Sequence, residues 1–333
     1  MLFMGAVTKE AFKRRVEDVK VARRMFDITS LKFDPYLFDI GGQADILSAT
    51  DTLTAKRYAV KLLRITSPSS ILSFSVEAKL LMRLEHPFIS MGITDLRTLE
   101  NDPPEIKEHL VSNHLIMAQV IPSPYIVMEL IEGMDLHVRR GSGFISIKSC
   151  VEITIKICKA VSYLFSKGIL HRDLTPDNVI VDDMFNPTLI DFALSGACAE
   201  NFRVNPFHLP EPSAFKKKYN SIIGADEYLA PERGPPNFVI DDVRSEIYSL
   251  GAILYFLIAK RPPHLMRTGI LDTDFSIAKK EDIPSFYSVG QGNLVPPKLE
   301  ELVRIALEYD PKNRFQTPGE MIAALKSVLR ECM

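Results

Sequence analysis

The sequence predicts an α+β chain in two unequal parts, a small β-rich lobe followed by a larger, mainly helical one. Strand-type runs come early: residues 36–63 read as β structure, with Tyr58-Ala59-Val60-Lys61-Leu62-Leu63 rich in β-formers, and Tyr125-Ile126-Val127-Met128-Glu129-Leu130 reads as another strand. From about residue 131 onward apolar residues recur mostly at helical spacing. Strands first and helices afterwards segregate into separate layers, and 333 residues are ample for one bilobal unit or two ordinary domains.

Residues 8–26 alternate charge with Phe12, Val16, Val19, Val21 and Met25, the pattern of an amphipathic helix ahead of the main fold, expected as a solvated capping helix. Ser70–Leu84 predicts a helix with the stripe Ile71, Phe74, Leu80, Leu81 and Leu84, closed by His86-Pro87 because proline cannot continue it. Residues 95–124 carry a weak pattern around the loop Asn101-Asp102-Pro103-Pro104 and read as an insertion. Glu132-Gly133 reads as a connector. Ser149 and Glu152 have capping-box spacing ahead of the face Val151, Ile155, Cys158, Val161 and Phe165, and Gly168 ends that helix.

A net charge of −2 gives no electrostatic case for nucleic acid. Cys150, Cys158, Cys198 and Cys332 lack paired metal spacing, so a reduced, cytoplasmic compartment is expected. The start, Met1 to Gly5, is too short for a secretory apolar core. The apolar run Ile247–Ala259 falls short of the ~20 residues a membrane span requires, so no span is expected.

The chemistry concentrates in His171-Arg172-Asp173-Leu174-Thr175-Pro176-Asp177-Asn178 and, thirteen residues after Asn178, Asp191-Phe192-Ala193. An Asp, an Asn and a second Asp in this order suit phosphoryl transfer. One carboxylate orients and deprotonates a hydroxyl, while an amide oxygen and the other carboxylate hold Mg²⁺ against phosphates. This set resembles the catalytic loop and metal-binding triplet of the protein kinase family, and the resemblance runs from about residue 36 to about 330. It implies a bilobal protein-kinase-like fold: an N-terminal helical extension at 1–35, an N-lobe at about 36–130 and a C-lobe at about 131–330.

The resemblance assigns roles residue by residue. Asp173 orients the hydroxyl, and Asn178 and Asp191 are the Mg²⁺ ligands. Lys61, in a run similar to the family's V-A-I-K, pairs the ATP phosphates, and Glu77 holds Lys61. Ile46, Ala59 and Ile180 sandwich adenine, Met128 backs the pocket, Glu129 and Ile131 offer backbone groups, and Asp135 meets the ribose. Ala230-Pro231-Glu232 ends the activation segment, Arg314 pairs with Glu232, and Glu246 stands where the family usually has Asp. The resemblance gives Arg172 a phosphate to bind on this segment, at Ser221 or Tyr219, with a solvated basic loop around Lys216-Lys217-Lys218 as the equal alternative.

The chain also departs from the family pattern. Counting back from Ile46 puts Asp39, Gly41 and Ala44 at the three glycine-loop sites, leaving Gly41 in register beside Gly42. Ala193 replaces the usual glycine, Thr175 stands where Ser/Thr kinases usually have Lys, and Ala225 where a Thr often touches the catalytic Asp. The expected function is transfer of phosphate from Mg-ATP to Ser/Thr hydroxyls of a protein substrate. A pseudokinase scaffold is the alternative, and a small-molecule kinase a third reading that Ala230-Pro231-Glu232 argues against. A regulatory partner is expected through the N-terminal extension or the 95–124 insertion.

Overall fold

A computed structural model describes residues 8–40, 44–64, 67–98, 102, 104, 124–198, 226–233, 242–263, 283–291 and 294–332. The chain divides into two compact units, Met1–Glu132 and Gly133–Met333.

The first unit is built on a five-stranded antiparallel sheet. Its strands are β1 (Leu31–Ile40), β2 (Ala44–Asp51), β3 (Arg57–Leu63), β4 (Arg97–Thr98) and β5 (Pro124–Glu129), in the order β1-β2-β3-β5-β4. β1 is an edge strand, which suits Pro35 because proline has no N–H to donate to a ladder. The register shifts between Phe33 and Leu37, around that proline. β1 starts at Leu31, ahead of the expected boundary at 36, because Leu31 and Phe33 bury in the same core as the sheet.

Side chains alternate along each strand, so the sheet has two distinct faces. On one face Leu47, Ala49, Tyr58, Val60, Leu62, Tyr125 and Val127 form a single cluster with α1 (Lys9–Met25). α1 starts at Thr8, whose hydroxyl accepts the Ala11 N–H at 3.0 Å. It is not the solvated cap expected: Val16, Val19 and Ala22 are buried against the sheet, with Phe12 and Phe26 packed beside them. Val21 and Met25 point outward, because the buried arc is centred one position away from the stripe that the sequence suggested. α2 (Pro68–Arg83) begins at the Ser67 cap with proline in its first turn and buries Phe74, Val76, Glu77, Leu80 and Leu81. Most of the 95–124 insertion lies outside the described residues.

The second unit is mainly helical. Its helices are α3 (Leu136–Ser142), α4 (Ile147–Ser166), α5 (Val243–Ala259), α6 (Pro297–Ala306) and α7 (Pro318–Cys332), and α4 packs against α5 and α7. α4 is capped by Ser146, whose hydroxyl accepts the Ser149 N–H at 3.1 Å, so Ser149 lies in the first turn rather than at the cap. Gly168 follows the helix in the left-handed conformation, as the sequence indicated. Every residue of α5 from Ser245 to Ala259 is buried, which accounts for its unbroken apolar run. No helix among the described residues is long and apolar enough to cross a membrane.

Short strands carry the loops of interest. β6 (Met134–Asp135), β8 (Val179–Val181) and β9 (Pro187–Leu189) form one small sheet, and β7 (Ile169–Leu170) with β10 (Gly196–Ala197) form another.

Candidate active site

In the first unit, β3 pairs Lys61 with Ile46 on β2 and Ile126 on β5. Tyr58, Val60 and Leu62 project toward α1, so Ala59 and Lys61 project from the opposite face. Lys61 Nζ donates to Glu77 Oε1 at 2.8 Å and Oε2 at 2.9 Å, with side-chain exposures of 7% and 1%. Burying two charges is favourable only when their geometry is good, and two short charge-assisted bonds meet that condition. By the same alternation Ile46 and Met128 share the face of Lys61, and Ala59 is paired directly with Met128. Four residues expected around a nucleotide are thus brought onto one sheet face. Gly41 and Gly42 lie outside the described residues; the strands flanking them pair Ile40 with Asp45.

In the second unit, β7 leads into the loop at His171. The Glu246 carboxylate on α5 accepts the His171 and Arg172 backbone N–H groups, each at 3.0 Å. His171 Nδ1 lies 3.3 Å from the Asp173 N–H and accepts it, so Nε2 carries the proton and donates to the Ile190 carbonyl at 3.0 Å. The Phe192 ring, fully buried, packs edge-on against His171 at 4.8 Å between centroids. This lattice holds Arg172 and Asp191 at φ values of 69° and 58°, left-handed conformations that non-glycine residues occupy only when their surroundings enforce them.

Asn178 closes the loop onto Asp173. Its Nδ2 donates to the Asp173 carbonyl and to Asp173 Oδ2, both at 2.9 Å. The Ile190 N–H donates to the Asn178 carbonyl at 3.0 Å, tying the lead-in of Asp191 to the same residue. Asp191 Oδ1 accepts the Ala193 N–H at 3.1 Å. Burial pushes the Asp173 carboxyl above its ordinary value, and the Asp191 charge adds to that; His171, Asn178 and Arg233 oppose it. A raised carboxylate is closer to the proton affinity that a catalytic base needs.

The remaining expected residues have these places. Ile180 lies on β8, paired with Asp135 on β6. Asp135 caps α3, accepting the Val138 N–H at 2.7 Å. Thr175 is buried at the entrance to a 3₁₀ turn over Pro176–Asn178. Glu232 accepts two Arg314 bonds of 2.7 Å, the pairing the sequence indicated. Arg172 is turned into the unit, donating to the Ala197 carbonyl at 3.1 Å. A Cβ at Gly196 would lie 2.0 Å from its Nη1, so only glycine leaves room for the guanidinium. Ser221, Tyr219 and Ala225 lie outside the described residues.

Sequence reasoning missed Arg233. It is buried, donates to Glu246 Oε1 at 2.9 Å and to the Arg172 carbonyl at 3.2 Å, and so braces the loop that carries Asp173. Only its position directly after Ala230-Pro231-Glu232 hinted at it, and nothing local names a partner thirteen residues on.

A loop that buries His171, fixes Asp173 through Asn178 and accompanies a buried Lys–Glu pair defines a protein of the kinase class. A family model describing the protein kinase domain matches residues 40–324, and the chain belongs to that family. Among curated proteins it is similar to a probable serine/threonine-protein kinase of Corynebacterium efficiens, 27% identical over 299 residues, which cover 88% of this chain and 40% of that protein. It is also 29% identical to serine/threonine-protein kinase PknB of Mycolicibacterium smegmatis over 293 residues, covering 87% of this chain and 41% of that protein. PknB of Mycobacterium tuberculosis is likewise 29% identical over 305 residues, covering 88% and 42%. The chain thus spans about two fifths of the length of these relatives.

Proposed function

We propose that this chain is a protein kinase that transfers the γ-phosphoryl group of Mg-ATP to Ser or Thr hydroxyls of a protein substrate. The observation that carries the reading is the buried Lys61–Glu77 pair. Such a pair costs desolvation and is often replaceable by apolar residues without loss of stability, so its presence in a chain that also carries Asp173, Asn178 and Asp191 favours chemistry over scaffolding. The names of the bacterial relatives support the Ser/Thr direction.

The residues suit a magnesium nucleotide. Mg²⁺ takes hard oxygen ligands and keeps several waters, so two protein oxygens suffice. Asn178 spends its Nδ2 on Asp173, which leaves the amide oxygen as its acceptor end, the end a cation takes. Asn178 and Asp191 would hold the ion, which would neutralise charge developing on the phosphates. Lys61, steadied by Glu77, would pair with phosphate oxygens. Ile46, Ala59, Met128 and Ile180 would contact the base, with Asp135 near the ribose. Asp173 would accept the substrate hydroxyl proton as the oxygen bonds to the γ-phosphorus and the bond to the ADP oxygen breaks.

The test is phosphate incorporation into a generic protein acceptor with Mg·ATP, run beside Asp173→Asn. Incorporation should fall by at least about 100-fold in the variant. Nucleotide binding with no transfer by the wild-type chain would overturn the reading. The cytoplasmic setting belongs to the same proposal and rests on cysteine usage alone.

A further inference from the structure

The family match begins at residue 40, so α1 precedes it, yet α1 reaches into the matched region. Arg15 Nε donates to Glu129 Oε2 at 2.9 Å, and Nη2 donates to Glu129 Oε1. The same guanidinium donates to the carbonyls of Pro87 and Ile89, each at 2.9 Å. Two turns along α1, Arg23 donates to the Gly92 carbonyl at 2.8 Å. One planar fork thus serves a carboxylate and two loop carbonyls at once, a geometry that arginine provides and lysine cannot.

Strand alternation explains why this contact bears on nucleotide. Glu129 is the last residue of β5 and points toward α1, while its neighbour Met128 points to the face carrying Lys61 and Ala59. Glu129 Oε1 also accepts the Met91 N–H at 2.6 Å, and the Glu129 N–H donates to the Met91 carbonyl at 3.1 Å. Past Glu129 the chain leaves the sheet toward Ile131. The carboxylate is therefore a side-chain anchor at the end of β5, where the backbone expected to meet adenine begins. Docking of α1 already has its own driving force in Val16, Val19 and Ala22. Arg15 adds polar contacts to that docking, and two of them end on Glu129, the last residue of β5.

Resting on the kinase reading above, we infer that Arg15 is a positioning residue for nucleotide: by fixing Glu129 it sets the backbone groups of Glu129 and Ile131, so that α1 tunes ATP affinity from outside the matched domain. Neutralising Arg15 leaves the acid, the amide and the lysine of the chemistry untouched. The loss should fall on binding rather than on turnover.

The experiment uses the full chain and compares wild type with Arg15→Met, Arg15→Lys, Glu129→Gln and Val19→Ala. It measures KM for ATP, kcat, the Kd of a fluorescent ATP analogue and Tm. Arg15→Met should raise KM and Kd by roughly three- to tenfold, with kcat within about twofold. Arg15→Lys should recover part of that loss, and Glu129→Gln should reproduce it. Arg15→Met combined with Glu129→Gln should add little beyond either alone. Val19→Ala should lower Tm and leave KM unchanged. An unchanged KM in both Arg15→Met and Glu129→Gln would overturn the inference, as would a KM shift in Val19→Ala matching that of Arg15→Met. A wild-type chain that binds no nucleotide would instead overturn the kinase reading, and this inference with it.

Discussion

Arg233 and Glu246 form a buried ion pair at 2.9 Å, and the Glu246 carboxylate also accepts the backbone N–H groups of His171 and Arg172. One side chain of α5 therefore anchors both the His171-Arg172 loop and the residue that follows the Ala230-Pro231-Glu232 segment. Glutamate stands where the family usually has aspartate, and both of its oxygens are used, one for His171 and one shared by Arg172 and Arg233.

Glu246→Ala should therefore be among the most damaging substitutions. It strands a buried guanidinium and two backbone donors, and removing one partner of a buried pair costs about 3–5 kcal/mol. Urea unfolding should show that loss. Glu246→Ala combined with Arg233→Met should recover part of it, because the stranded charge is gone; full additivity of the two would contradict the pairing.

Lys61 and Glu77 separate stability from activity. Glu77→Ala leaves Lys61 buried without its carboxylate, so it should lower stability by about 3 kcal/mol and phosphate transfer by at least about 100-fold. Lys61→Met with Glu77→Leu removes both charges and should regain most of the stability while staying inactive. Measuring Tm and incorporation on the same samples checks both halves.

Glu232 gives a pH signature. Burial alone would raise its carboxyl, but the Arg314 hydrogen bonds and charge, with Ser245, outweigh burial and hold it below its ordinary value. A depressed carboxyl contributes stability in full above the unfolded value of about 4.3 and loses it as the pH falls through the folded value. The advantage of wild type over Glu232→Gln, about 2 kcal/mol near neutrality, should narrow on acidification below about pH 4.3. An advantage that widened instead would contradict the shift. Arg314 also lies 4.9 Å from the centroid of the Tyr248 ring, a contact that does not involve the Glu232 carboxylate.

Gly133 opens the second unit at φ +143°, and a Cβ there would lie 2.5 Å from the Val181 carbonyl oxygen. Both the backbone angle and the contact oppose a side chain. Gly133→Ala should lower stability by roughly 1–3 kcal/mol, read from the shift in the urea midpoint, with the slope unchanged.

Much of the site was legible in the sequence because its chemistry is carried by short loops with fixed spacing. Asp173, Asn178 and Asp191 announce themselves by order and residue type, and the helix and strand periods around them are local properties. Arg15 and Arg233 were not legible. Each is one cation among the chain's 40 lysines and arginines, and its partner is 114 or 13 residues away.

By itself the sequence determined the two-part α+β architecture and the positions that match the family's motifs, since these depend on local pattern and residue chemistry. The tertiary structure alone decided that α1 belongs to the first unit's core, which sheet face Lys61, Ala59 and Met128 share, and which guanidinium braces which carboxylate. Those outcomes follow from burial and strand register, which join positions far apart in the chain and leave no mark on either one alone.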